Sequence, residues 1–168
     1  MKSTILRYGL YGAVAICVLF LISWFVLDDL PFASQEVLGY VSMLLSLSFV
    51  YFGIKHYRDK ENDGKVSFRS ALVIGILISL ITALAFGVLD VIYTEVLNPD
   101  FMAQYYDTAV ENIKNSVPAD ALDAKLAELE SQREMFSNPL FSFALMAMTV
   151  FVIGFIISLL SALILQRK

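Results

Sequence analysis

Four long runs of apolar residues, separated by polar stretches, set the pattern of this chain. The runs cover about residues 8–27, 37–54, 71–93 and 140–165. A transmembrane helix needs roughly 20 apolar residues to cross a hydrocarbon core of about 30 Å. A charge near the middle of such a helix would cost about 2.5–3.5 kcal/mol, and none of the runs carries one there. The pattern therefore predicts four transmembrane α-helices.

The segment between the third and fourth runs has a different pattern, in which apolar residues recur at helical spacing. Asn98-Pro99 predicts the start of one helix, with Asn as the cap and Pro at the first helical position. Ser116-Val117-Pro118 should end that helix and open a second one, and Asn138-Pro139 should begin the fourth transmembrane helix. The apolar stripes consist of Phe101, Tyr105, Ala109 and Ile113, and then of Leu122, Leu126, Leu129 and Phe136.

These elements together predict an all-α fold, a four-helix transmembrane bundle with an extramembrane helical hairpin between the third and fourth membrane helices. A single integral membrane domain should cover residues 1–168, with a cytosolic loop at 55–70 and an external helical insert at 94–138. Small residues at four-residue spacing would let the membrane helices approach closely. They are Gly75, Ser79, Ala83 and Gly87, then Gly154, Ser158 and Ala162, with Gly39, Ser42 and Ser46 on a similar stripe. We interpret them as packing within one chain, with a dimer seam or a pore lining as the alternative.

Composition excludes a soluble domain of this size. Hydrophobic residues make up 58% of the chain, charged residues only 17%, and the mean hydropathy is +0.72, whereas soluble domains contain about 45–50% apolar residues. Cys17 is the only cysteine and His56 the only histidine. No intrachain disulfide can therefore form, and these two side chains cannot build a zinc site alone. We expect no cofactor, no metal and no catalytic set.

Basic residues are distributed unequally over the two sides of the expected membrane. Nine lie near the two termini and in the loop at 55–70, whereas three lie in the insert at 94–138. Segments rich in Lys and Arg stay in the cytosol because their translocation is disfavoured. The chain should therefore be a multi-pass protein of a bacterial inner (plasma) membrane, with its N-terminus and C-terminus cytosolic and the lipid bilayer as its first partner.

The cytosolic loop has the most distinctive local sequence. Asp63-Gly64 predicts a tight turn, and Ser67 is placed to cap the third helix. Basic residues interleaved with aromatic ones suit anionic lipid headgroups, but the same charges also serve simply to orient the chain, which is an equally good interpretation. The candidate interaction residues here are Lys55, His56, Tyr57, Arg58, Asp59, Gly64 and Phe68.

Two ionisable residues near the ends of the membrane helices are candidates for chemistry. His56 would need a partner such as Asp59 or Ser67 for catalysis, and we expect instead an interfacial side chain. Asp90 is the remaining candidate interaction residue, because an ionisable group within a membrane helix is a functional candidate by default. It lies about 30 Å along the helix from Ala71, so we expect a solvated carboxylate at the outer boundary, with an ion or partner contact as the alternative.

Six short motifs are spread over nearly the whole chain. They are Tyr8-Gly9-Leu10-Tyr11-Gly12, Gly39-Tyr40-Val41-Ser42-Met43, Tyr51-Phe52-Gly53-Ile54-Lys55, Tyr57-Arg58-Asp59, Gly64-Lys65-Val66-Ser67-Phe68 and Asn98-Pro99-Asp100-Phe101. In these motifs the chain resembles a group of small bacterial membrane proteins, domain of unknown function family 4199. The resemblance implies a stand-alone, four-helix, inner-membrane protein, and it supplies no activity, cofactor or catalytic residue.

These observations favour a non-enzymatic membrane protein that acts as an accessory, partner-binding or envelope-assembly component. The expected partner is a membrane or periplasmic protein, with a second copy of the chain as a further candidate. The alternative is a small oligomeric transporter or channel, which needs a polar pathway. Its lining would be formed by Ser42, Ser46, Ser79, Thr82, Thr149, Ser158 and Ser161. Nucleic acid is not an expected partner, because no cytosolic surface is large enough to bind it.

Overall fold

The computed structural model describes residues 1–27, 30 and 32–167. Within these residues the α-helices are α1 (Lys2–Val26), α2 (Phe32–His56), α3 (Phe68–Ile92), α4 (Phe101–Ser116), α5 (Ala119–Phe136) and α6 (Pro139–Leu165). Two π-helical turns, Tyr57–Glu61 and Tyr93–Leu97, extend α2 and α3. The described part of the chain contains no β-strand, only an isolated bridge between Val66 and Arg167. The predicted all-α class is confirmed.

Helices α1, α2, α3 and α6 are long and apolar enough to cross a membrane. The four apolar runs of the sequence therefore correspond to four helices, as in a multi-pass membrane protein. The observed helices are longer than the runs, and α1 begins at Lys2 rather than at residue 8. Hydropathy marks only the length that matches hydrocarbon, whereas the backbone gains from helical hydrogen bonds over a longer stretch.

The outward side of α1 consists of large apolar side chains at four-residue spacing. Leu6, Leu10, Val14, Val18 and Ile22 are between 44% and 61% exposed. The same helix buries Ile5, Ile16 and Phe20 on its other side. A helix that is hydrophobic all round is typical of a membrane span, because in water such a continuous exposed apolar stripe would drive association.

The chain divides into two compact units, residues 1–86 with 146–168, and residues 87–145. In the first unit α3 contacts α1, α2 and α6. An added Cβ at Gly9 of α1 would lie 2.6 Å from Ile81 Cδ1, and one at Gly53 of α2 would lie 2.5 Å from Ile78 Cδ1. On the α6 side, an added Cβ at Gly75 would lie 2.7 Å from the Cβ of Ser158. The glycines therefore mark the places where helices approach most closely.

The small residues at four-residue spacing are used within the chain. Gly154 of α6 packs so closely on Ser79 of α3 that an added Cβ would lie 2.6 Å from the Ser79 Cβ. The hydroxyl oxygens of Ser79 and Ser158 lie 3.2 Å apart and share a hydrogen bond. Ser79, Ser158 and Ala162 are fully buried. The interpretation as intrachain packing is confirmed for this face of α3 and α6.

The second unit contains α4, α5 and the adjoining ends of α3 and α6. The hydroxyl of Tyr106 in α4 donates a hydrogen bond to Glu130 of α5, and this bond raises the pKa of Tyr106 above its usual value. The guanidinium of Arg133 lies over the Tyr106 ring, 4.6 Å from its centroid. These contacts join α4 to α5. As predicted, the break between the two helices falls at residues 117–118.

The two Asn-Pro sequences have different roles. At Asn138-Pro139 the prediction is confirmed, because Pro139 opens α6 and the Asn138 Oδ1 accepts the N–H of Leu140 at 3.0 Å. At Asn98-Pro99 the prediction is wrong, because α4 begins only at Phe101 and Asp100 precedes it. Asn98 instead ends the π-helical turn. Its side-chain Nδ2 donates to the Tyr93 hydroxyl at 3.2 Å, and its backbone N–H donates to the Tyr93 carbonyl at 2.7 Å.

Candidate functional site

The ends of the first unit's helices meet at the loop between α2 and α3. Val66 and Arg167 exchange two backbone hydrogen bonds, of 2.9 and 2.8 Å, so the segment after α6 pairs with this loop. The amino group of Met1 lies 2.6 Å from Glu61 Oε2, which brings the start of α1 to the same loop. Met1 and Arg167 therefore lie at the same end of this unit.

The loop has a defined backbone. The N–H of Gly64 donates to the Arg58 carbonyl at 2.8 Å, and the N–H of Lys65 donates to the Asn62 carbonyl at 2.9 Å. Asp63 and Gly64 have φ values of 51° and 77°, in the left-handed region that favours Gly and Asn or Asp. Ser67 Oγ accepts the N–H of Ser70 at 3.2 Å and so caps α3. The predicted turn and the predicted cap are both confirmed.

Glu61 is the centre of a polar cluster within this loop. Its carboxylate accepts hydrogen bonds from the Met1 amino group and from the Thr4 hydroxyl, both at the start of α1. The Nε2 of His56 lies 3.9 Å from Glu61 Oε1, and the His56 ring lies 5.5 Å from the ring of Tyr8. The cluster ties α1 to the end of α2, and its one carboxylate faces two nitrogen groups.

Arg58 and Asp59 form a second ion pair beside the first. The Arg58 Nε and Nη2 donate to the two carboxylate oxygens of Asp59 at 2.6 and 3.2 Å, which is a bidentate arrangement. Arg58 Nη1 also donates to the Leu165 carbonyl at 3.4 Å, near the end of α6. The Arg58 side chain therefore stabilises the loop, and its bidentate donors are already used by Asp59 and not by an external anion.

The candidate interaction residues of the loop have different environments. Lys55 is exposed, whereas Tyr57, Arg58, Gly64 and Phe68 are partly buried. The His56 side chain is 28% exposed. The partners considered for His56 are engaged elsewhere, since Asp59 pairs with Arg58 and Ser67 bonds to Ser70. The structure assembles no catalytic pair of this histidine with either of them.

Sequence reasoning missed Glu61 and Thr4. Glu61 is one of three acids in a loop dominated by bases, and Thr4 lies at the polar start of an apolar run. The sequence offered only a weak signal, which is that the hydroxyl group of Thr4, on a helix, needs a hydrogen-bond acceptor. The contact itself spans 57 positions of sequence, so no local pattern could indicate it.

Asp90 belongs to the second unit, and the expectation of a solvated carboxylate is wrong. The residue is only 6% exposed, and its Oδ2 accepts a hydrogen bond of 2.9 Å from the Ser142 hydroxyl of α6. Close by, an added Cβ at Gly87 would lie 2.9 Å from the Phe143 ring, so α3 and α6 are in tight contact here. Counting residues gave the position of Asp90 along the helix axis, but the neighbouring helix covers this side of α3.

The hydroxyl groups considered as a pore lining are mostly buried and bonded within the helices. Ser46, Thr82 and Ser158 each donate to a backbone carbonyl four residues earlier, at 2.8, 3.1 and 2.7 Å. Ser42 and Ser161 are also buried, whereas Thr149 is partly exposed. In this arrangement the hydroxyls satisfy each other and the backbone, as is usual for Ser and Thr in membrane helices.

Comparison with known proteins gives a family. The sequence model of the family described as "Protein of unknown function (DUF4199)" matches residues 7–167. The chain belongs to this family. Comparisons with curated proteins and with solved structures returned no match.

The family match extends over both units. It includes the loop between α2 and α3, the Asp90–Ser142 contact and all of α4 and α5. Among the described residues of this DUF4199 protein, no group of three or more His, Cys, Asp or Glu side chains could hold a metal ion. Chemically, the loop offers exposed cations beside internally paired acids, and the second unit offers one buried carboxyl group.

Proposed function

We propose that the protein is a non-enzymatic component of a bacterial inner membrane that binds a membrane or periplasmic protein through residues 94–138. In this proposal these residues form an extramembrane helical hairpin. The observation that carries it is the exposure of α4, which has an apolar stripe but no fully buried residue. A helix with such a stripe is stabilised when a further surface covers it.

The residues of both stripes are only partly covered. Phe101, Met102, Ala109 and Ile113 of α4 are partly buried, and Tyr105 is 42% exposed. The stripe of α5 is in the same state, with Leu122, Leu126, Leu129 and Phe136 all partly buried. A pair of amphipathic helices that covers its stripes only in part leaves apolar area for a partner protein.

Charge indicates the kind of partner. Residues 94–138 contain nine acidic and three basic residues. Two of the bases are already paired in α5, since Lys125 lies 2.7 Å from Glu128 and Arg133 lies 3.7 Å from Glu130. A partner with a basic rim around an apolar patch would complement this surface, and anionic lipid would not.

The proposed orientation places both termini in the cytosol and residues 94–138 on the opposite side. Its support is the charge distribution, with nine bases near the termini and in the loop against three in the insert. The proximity of Met1 to Glu61 and of Arg167 to Val66 fits an arrangement in which both termini share the compartment of the loop.

The alternative of a small oligomeric transporter or channel has weaker support. Its expected lining hydroxyls bond to the helix backbone or to one another inside the first unit, as in the Ser79–Ser158 pair. A transport pathway instead needs polar groups that are available to a solute.

Photo-crosslinking in intact cells tests the proposed function. A photoreactive amino acid at Tyr105 should form an adduct with one discrete protein, and the same group at the lipid-facing Val18 should not. Because the partner is expected to be basic, the double change Asp107→Lys and Glu111→Lys should lower the Tyr105 adduct at least tenfold while membrane insertion is unchanged.

The outcomes separate the alternatives. An adduct that persists after charge reversal would contradict the proposed recognition, and an adduct of twice the chain's mass would identify a second copy as the occupant. Absence of any adduct, together with solute or ion flux in liposomes that contain only the purified protein, would replace the accessory function with transport.

A further inference from the structure

Exposed basic residues occur at the ends of all four membrane-spanning helices in the first unit. Lys2 and Arg7 belong to α1, Lys55 to the last turn of α2, Arg69 to the first turn of α3, and Arg167 follows α6. Lys60 and Lys65 lie in the loop between α2 and α3 and are also exposed. Lys168 lies outside the described residues. We call the seven described bases the basic end.

Two of the acids near the basic end bind groups other than these seven bases. Asp59 is held by Arg58, and Glu61 by the Met1 amino group and Thr4. Within the part of the chain that the structure describes, none of the seven bases lies within ion-pair distance of a carboxylate. The loop contains three acids, and Asp63 is the one that forms no ion pair among the described residues.

Five of the seven bases have an exposed apolar side chain beside them, three or four residues away along the chain. The pairs are Lys2 with Leu6, Arg7 with Leu10, Lys55 with Phe52, Arg69 with Val73, and Arg167 with Ile164, whose apolar members are 59%, 58%, 50%, 39% and 69% exposed. In a helix, residues with this spacing lie on one face, which applies to the four pairs in α1, α2 and α3, whereas Arg167 follows the end of α6. In each pair the apolar residue is the one farther into the apolar run.

We propose that these five pairs bind anionic phospholipids, with the base at the phosphate and the apolar residue along the acyl chain. Long basic side chains at the ends of membrane helices extend toward the headgroup layer, where phosphate oxygens accept their hydrogen bonds. The inference goes beyond the proposed function, because it concerns the basic end and not residues 94–138.

The arrangement favours a lipid over a free phosphate ion. The five bases belong to α1, α2, α3 and the segment after α6. Each is accompanied by its own exposed apolar neighbour, which a phosphate ion cannot use but an acyl chain can cover. Lipid attraction of this kind contributes about fivefold in affinity for each Lys or Arg.

The test compares two double variants of the purified protein in detergent. In Lys55→Gln/Arg69→Gln both bases have an exposed apolar neighbour, whereas in Lys60→Gln/Lys65→Gln they lie in the loop between the helices. Each variant loses two positive charges, from the helix ends in the first variant and from the loop between those helices in the second. Native mass spectrometry measures the dissociation constants for short-chain phosphatidylglycerol and phosphatidylcholine, and circular dichroism checks that the helices are intact.

We expect the parent protein to prefer phosphatidylglycerol, and the preference to fall as sodium chloride rises. The Lys55→Gln/Arg69→Gln variant should lose about 25-fold of this preference, and the loop variant less than fivefold. Equal losses in the two variants would overturn the proposal in favour of unspecific surface charge, and no loss in either would overturn it outright. Displacement of phosphatidylglycerol by an equal concentration of inorganic phosphate would identify a phosphate site in place of a lipid site.

Discussion

The backbone conformation at residue 64, and not the packing around it, is the reason that glycine is favoured there. Its φ is 77°, and an added Cβ would meet nothing within 4 Å. Gly64→Ala should therefore destabilise the protein by about 1–2 kcal/mol through backbone strain alone. Unfolding by denaturant in detergent micelles measures the free-energy difference.

The matched control for this change is Gly64→Asn. Asn is larger than Ala, but its side chain tolerates the left-handed region better. The Asn variant should therefore be more stable than the Ala variant. The reverse order would show that side-chain size, and not φ, limits this position.

Asp90 and Ser142 form a polar contact inside a largely apolar environment. Asp90→Asn keeps an oxygen that accepts the Ser142 hydroxyl and removes the charge, so this variant should be at least as stable as the parent and remain inserted. Ser142→Ala removes a hydroxyl that donates a hydrogen bond to a carboxyl group that is 6% exposed. It should cost about 1–3 kcal/mol in free energy of unfolding.

Ser48→Ala is the control for the Ser142 change. Ser48 is only partly buried, and its hydroxyl makes an exposed hydrogen bond to the Leu45 carbonyl of its own helix, so its loss should alter stability by less than about 0.5 kcal/mol. If Asp90→Asn instead unfolds the protein, the charge itself is required, and the ion or partner contact considered from the sequence becomes the better explanation.

Local chemistry predicted some of these residue environments and not others. The turn at Asp63-Gly64 and the cap at Ser67 follow from groups a few positions apart, so the sequence is sufficient to predict them. The burial of Asp90 depends on Ser142, which is 52 positions away. The same holds for Glu61 and Thr4, where two distant segments must meet before the hydrogen bond exists.

At the scale of the elements, the contact between α3 and α6 depends on the absence of side-chain atoms. An added Cβ at Gly75 would lie 2.7 Å from the Ser158 Cβ and 3.2 Å from the Ser158 Cα. Gly75→Ala should destabilise the protein by about 1–2 kcal/mol. Overpacking costs about 1–3 kcal/mol, which outweighs the gain of up to about 1 kcal/mol that Ala brings to a helix.

Gly39→Ala provides the comparison within another membrane helix. The nearest atom to an added Cβ there is Phe20 Cζ at 3.8 Å, which is an ordinary contact. This variant should unfold at the same denaturant concentration as the parent or a higher one. Equal behaviour of the Gly39 and Gly75 variants would show that α3 and α6 separate easily.

The elements themselves were predictable because their signals are local. Apolar runs of sufficient length predicted α1, α2, α3 and α6, and helical spacing predicted α4 and α5. The start of α4 was misplaced because α3 continues through a π-helical turn to Leu97. Asn98 then bonds backward to Tyr93, and an Asn-Pro pair cannot reveal which of its two neighbouring helices it serves.

At the scale of the whole molecule, the contacts of Met1 and Arg167 with the loop between α2 and α3 predict that these segments lie on the same side of the membrane. In a Cys17→Ala background, single cysteines at Ser3 and at Lys65 should respond identically to a membrane-impermeant thiol reagent. With the proposed orientation both should be protected in intact cells and labelled after permeabilisation. A cysteine at Thr108 in α4 should be labelled in intact cells.

Labelling in detergent controls for the reactivity of each cysteine, since all three positions are exposed. Protection of Thr108→Cys with labelling of the other two would invert the proposed orientation. Different results for Ser3→Cys and Lys65→Cys would contradict the shared location of the N-terminus and the loop, which rests on the contacts of Met1 and Thr4 with Glu61.

The sequence by itself determined that this chain forms helices, that four of them are able to cross a membrane, and where several of them begin and end. Those properties depend on hydrophobicity and on groups close together in the chain. Only the tertiary structure decided which polar groups are paired. Glu61 and Asp90 are engaged by groups that are distant in sequence, while Lys55 and Arg69 are left exposed. The reason is that an ion pair or a buried hydrogen bond requires two groups within about 3–4 Å, and that distance is set when the helices pack.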